Sequence, residues 1–89
     1  MKLREGFITY QTESEYVIVA VGDAAAKFHG MVRCNAKAAF IIETLKSETT
    51  RDLLIEAVVN AEENAPVDLV SKDVDNVLAT LRKIGALDE

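Results

Sequence analysis

The sequence predicts an α+β domain in which a three-stranded antiparallel sheet is followed by three helices. Three observations carry that expectation. Between Phe7 and Cys34 the chain is rich in β-branched and aromatic residues, in short runs that alternate or are apolar throughout. From Asn35 onward the apolar residues recur every three or four positions, the rhythm of amphipathic helices. Finally, 89 residues, 49% hydrophobic and 28% charged, suffice for one small core but not for two, so 1–89 is expected to form a single domain.

Phe7-Ile8-Thr9-Tyr10-Gln11 alternates β-formers with polar residues and reads as a half-buried strand over 7–11. Glu13-Ser14-Glu15 is polar enough for a turn. The run Tyr16 to Val21 is apolar on both faces, which suits a central strand over 16–21. Gly22-Asp23 ends it, Ala24 to His29 fits a loop or a helical turn, and Gly30 opens a third strand over 31–34. Asn35 is a good N-cap for a helix over 36–46, whose face is Ala38, Ile41, Ile42 and Leu45. Thr49 with Asp52 makes a capping-box-like start for a second helix, about 50–61, with the stripe Leu53, Leu54, Ala57, Val58 and Ala61. The polar stretch Asn60 to Asn64 and Pro66 form a loop. The last helix, about 68–84, buries Val70, Val74, Val77, Leu78, Leu81 and Ile84 and stops at Gly85. Its acidic start and its basic end, Arg82 and Lys83, match the helix dipole. Leu87 is expected to fold back onto the core. This order of elements is that of a winged-helix-like domain.

Composition excludes several functions. Fifteen acidic against ten basic residues give a net charge of −5, which counts against nucleic acid and anionic membranes and suits a basic peptide better. The longest apolar run is far shorter than the ~20 residues of a membrane span, and Met1-Lys2-Leu3-Arg4 leads into polar sequence rather than a signal segment. One cysteine makes no intrachain disulfide and fits a cytoplasmic setting. His29 and Cys34 lack companions of their kind, so neither a metal site nor a catalytic pair is expected. The four glycines are scattered and cradle no phosphate. The expectation is a protein with no cofactor and no enzymatic activity.

The sheet leaves an open edge, and that edge is the functional clue. Met31-Val32-Arg33-Cys34 contains one charge and no proline, so little blocks it from accepting an extended peptide as a further strand. On the last helix Leu78 lies at the margin of the apolar stripe, flanked by Ser71, Asp75 and Arg82. That side offers a groove with an apolar floor and a charged rim. The same residues also read as plain core and as an edge-strand gatekeeper at Arg33.

Several short motifs share a resemblance. Glu5-Gly6-Phe7, Glu15-Tyr16-Val17-Ile18-Val19 with Val21-Gly22, and Phe28-His29-Gly30-Met31 running into Asn35 resemble the PqqD-like family, named for a protein of pyrroloquinoline quinone biosynthesis. Lys72-Asp73-Val74, Leu78 and Leu81-Arg82-Lys83-Ile84-Gly85-Ala86-Leu87 are similar to that family's closing helix. The likeness spans nearly the whole chain, although Asn35-Ala36-Lys37-Ala38 stands where family members often have Asn-Glu-Thr-Gly. It implies a peptide chaperone, a recognition element for ribosomally made, post-translationally modified peptides. The leader segment of a precursor peptide would add as a strand beside Met31, Val32, Arg33 and Cys34. It would pack against Ser71, Asp75, Leu78 and Arg82 of the last helix. The implied second partner is a modifying enzyme, often a radical S-adenosylmethionine protein, which would carry any iron–sulfur cluster itself. The alternatives are a winged-helix nucleic-acid or transcription-associated protein and a structural protein whose open edge pairs with its own copy, so that the chain is a monomer or a homodimer.

Overall fold

The computed structural model describes residues 1–28, 30–62 and 65–89. His29, weighed above as a ligand or a base, lies outside them, as do Glu63 and Asn64 at the end of the expected polar connection. The elements run β1 (Lys2–Leu3), β2 (Phe7–Gln11), β3 (Tyr16–Ala20), a 3-10 turn (Gly22–Ala26), β4 (Met31–Cys34), α1 (Ala36–Thr44), α2 (Arg51–Ala61), α3 (Val67–Lys83) and β5 (Leu87–Asp88). The architecture is α+β and winged-helix-like: an antiparallel sheet of order β2-β3-β4, then three helices.

Register fixes which side chains share a face. Phe7 pairs with Ala20 and Thr9 with Ile18, while Ile18 pairs with Val32 and Tyr16 with Cys34. These residues point to the helices, and Phe7 and Ile18 enter a core with Ile41, Ile42, Leu45, Leu54, Val58, Val70, Val74, Leu78 and Leu81. The alternate residues form the opposite face in two rows, Tyr10–Val17–Arg33 and Ile8–Val19–Met31. Val17 lies between two cross-strand neighbours and is only 1% exposed, while Ile8, Tyr10 and Met31 stand in solvent. Only Ile18 and Val17 of β3 are buried, one on each face, and the strand stops at Ala20, so Val21 of the expected 16–21 run stands outside it, 42% exposed.

Local chemistry sets the element ends. Asn35 Oδ1 accepts the N–H of Ala38 at 2.8 Å, the cap expected for α1. α1 ends at Thr44, short of the expected 46, because Lys46 and Ser47 donate to carbonyls three residues behind them in 3-10-type turns. The cap of α2 is Thr50, whose hydroxyl accepts from the N–H of Leu53, and not Thr49 as expected. Thr49 is buried, and its own N–H donates to the Met1 carbonyl at 2.9 Å. The 3-10 turn occupies the stretch that fitted either a loop or a helical turn.

A two-residue ribbon unmarked by any sequence pattern joins the chain ends: Leu3 pairs with Leu87 and Lys2 with Asp88. Leu87 does fold onto the core, 6% exposed. The turn that sends it there follows α3, where Gly85 has φ +73°, its N–H donates to Arg82, and the N–H of Ala86 donates to Leu81. Both bonds belong to a Schellman motif, which requires the left-handed residue that glycine supplies most cheaply.

Candidate functional site

β4 is an edge strand. Among the described residues, no backbone hydrogen bond joins it to any strand except β3. Beside β4 lies an open cleft of about 320 Å³ lined from the sheet, α1 and α3. Ile18, Val32, Ala38, Ile41, Ile42 and Leu81 make its floor, the residues that the strand register and the periods of α1 and α3 turn inward. Arg33, Cys34, Asn35 and Lys37 border it on the strand side, and Asp73, Asn76, Val77 and Thr80 form the wall from α3.

The cleft is graded along its length. At the Cys34 end Lys37 Nζ donates to Asp73 Oδ2 at 3.1 Å and lies 3.4 Å from Glu62 Oε2, tying α1 to α3 and to the end of α2. The hydrogen bond to Asp73 holds the Lys37 ammonium above its usual pKa range. The apolar part of the lining includes Ile41, Ile42 and Leu81. Asp73 to Thr80 covers about 10 Å of helix at 1.5 Å per residue, the length of three residues of extended chain. Partial burial raises the pKa of the Cys34 thiol above its ordinary value. Among the described residues there is no group of three or more His, Cys, Asp or Glu suited to a metal ion, and no helix is long and apolar enough to cross a membrane.

The expected site residues divide. Val32, Arg33 and Cys34 border the cleft, and Met31 is 56% exposed on the outer face of the same strand. On α3, Ser71, Asp75, Leu78 and Arg82 do not line it. Leu78 is core, 1% exposed, rather than marginal. Asp75 accepts two hydrogen bonds from Arg51 of α2, at 2.7 and 3.0 Å, and Arg82 pairs with Glu89. Ser71 donates to the Val67 carbonyl within its own helix. At 100° per residue these positions occupy one margin of the buried stripe and Asp73, Asn76, Val77 and Thr80 the other. The sequence does carry a signal for the second margin. Val77 and Ile84 widen the apolar stripe on that side only, and both remain half-buried.

Comparison with known proteins places the fold. No family model matches the chain, and neither does any curated protein. Among solved structures, "TbiB1 in Complex with the TbiA(beta) Leader Peptide" superposes with a TM-score of 0.71 at 17% identity, over 99% of this chain and 95% of that one. The likeness runs from end to end and is one of fold.

Proposed function

We propose that this protein is a non-enzymatic, PqqD-like recognition element that binds the leader segment of a ribosomally made precursor peptide and presents it to a modifying enzyme. The observation that carries the reading is the juxtaposition of a free strand edge with an apolar cleft beside it. The fold likeness to TbiB1, solved with a leader peptide, supports it, as do the sequence motifs shared with the PqqD-like family. The leader extends the sheet by pairing with β4. Backbone hydrogen bonds supply affinity that does not depend on sequence, and alternate side chains enter the cleft and supply selectivity. Val32 and Cys34 meet the inward side chains from the strand, and Asn76, Val77 and Thr80 meet them from α3. The Lys37–Asp73 pair closes the polar end. Chemistry on the peptide belongs to the partner enzyme, of which a radical S-adenosylmethionine protein is the type implied by the family resemblance.

The test is a nitrogen-15 chemical-shift titration with synthetic leader segments of short precursor peptides encoded beside this gene. Saturable shifts in residues 31–34 and 73–80 are the expected result. Shifts confined to other surfaces, or none with any such leader, would overturn the reading.

A further inference from the structure

A strand that pairs with β4 presents two faces, and only one of them meets the cleft. The other continues the two outer rows of the sheet by one position each. Tyr10–Val17–Arg33 would gain a fourth member beside Arg33, and Ile8–Val19–Met31 a fourth beside Met31. Either strand direction places an outward guest residue beside each of them, because side chains alternate faces with a period of two.

The chemistry of those two positions differs. Met31 is 56% exposed and continues an apolar row. Arg33 has a side chain 79% exposed, and among the described residues its one ion-pair partner is Glu15, at 3.4 Å from Nε. Glu15 precedes β3, on the side away from the free edge, so the guanidinium keeps donors available toward an incoming strand. Opposite charges in neighbouring cross-strand positions are favourable and like charges are not.

We infer that β4 reads its guest on both faces: Arg33 selects an acidic outward side chain, and Met31 an apolar one two residues away. This rests on the strand-addition reading and goes beyond it, since it assigns specificity to the face that the cleft does not touch. It is also compatible with the chain's net charge of −5, which acts over the whole surface and is screened beyond about a Debye length, while Arg33 acts on its direct neighbour.

The experiment is a selection from a displayed library of random decapeptides against the wild-type chain and against Arg33→Glu, with Arg33→Gln as the neutral variant. Circular dichroism checks that all three fold. The wild type is expected to enrich aspartate or glutamate two residues from an apolar outward position, Arg33→Glu to enrich lysine or arginine there, and Arg33→Gln neither. Synthetic peptides differing only in glutamate or lysine at that position should then differ in Kd by roughly two- to fivefold, with the order reversed by Arg33→Glu. If all three chains select the same outward residues while still binding at the cleft, the two-faced inference fails and strand addition stands. If the library yields no peptide that shifts β4, both fail.

Discussion

Thr80 and Asp75 stand on opposite margins of α3, one lining the cleft and the other bonded to Arg51 of α2. The difference gives a direct test of individual side chains. Thr80→Arg, at an exposed position, should fill the cleft and weaken leader binding by about tenfold or more, equivalent to about 1.4 kcal/mol. Asp75→Ala should leave binding unchanged, with both variants measured by fluorescence titration of a labelled leader peptide. A second residue-level test concerns Glu43, whose carboxyl lies below its ordinary range because Thr9 of β2 donates to it, with Lys46 contributing. Thr9→Val should raise the Glu43 midpoint, read by carbon-13 pH titration. A depressed folded value stabilises above the ordinary glutamate pKa of about 4.3 and is lost as pH falls through the folded value. The stability gap between wild type and Thr9→Val should therefore narrow on acidification through that range. Side-chain roles were partly legible in the sequence. Asn35 advertised its cap, but Thr49 and Thr50 are alike in type, and a tertiary bond from Thr49 to Met1 leaves Thr50 to do the capping.

At the scale of elements, caps and turns decide where helices stop. Thr50→Ala should cost about 1 kcal/mol in urea denaturation, since it removes the acceptor for the Leu53 N–H, while the α2 register is retained. Gly85→Ala should cost about 1–2 kcal/mol, because the left-handed conformation at φ +73° is strained for an L side chain although the space around it is open. The stop at Gly85 was legible in the sequence, whereas the cap was expected at Thr49 and falls at Thr50. The outward orientation of α3 was less legible. An amphipathic stripe specifies which residues are buried, and its two margins differ here only in the weak extra apolar character at Val77 and Ile84. Here α2 takes the margin of Asp75, and α1 with the sheet edge takes that of Asn76 and Thr80. The expected wall of Ser71, Asp75, Leu78 and Arg82 chose the first margin. The residual apolar character at Val77 points to the second.

Over the whole molecule, strand pairing brings distant segments together. The three-stranded sheet was legible because its strands are consecutive, so each pairs with its sequence neighbour. The β1–β5 ribbon was not, because two-residue strands carry no period and their pairing joins opposite ends of the chain. A close approach elsewhere is fixed by Gly6, at φ +94°, where a Cβ would fall 2.7 Å from that of Ala24 and 3.0 Å from the Val21 carbonyl. Gly6→Ala should destabilise the chain by more than the roughly 1 kcal/mol at which point substitutions centre, measured as a lower urea midpoint at unchanged slope. These contacts hold the sheet against the helices and leave β4 as a free edge beside an apolar cleft.

The titration with leader segments tests that central claim most directly. The expected result is saturable shifts in the amides of residues 31–34 and 73–80, with protection from hydrogen exchange gained along β4. Shifts confined to the Arg51–Asp75 side of α3, or protection that rises with protein concentration in the absence of peptide, would contradict it.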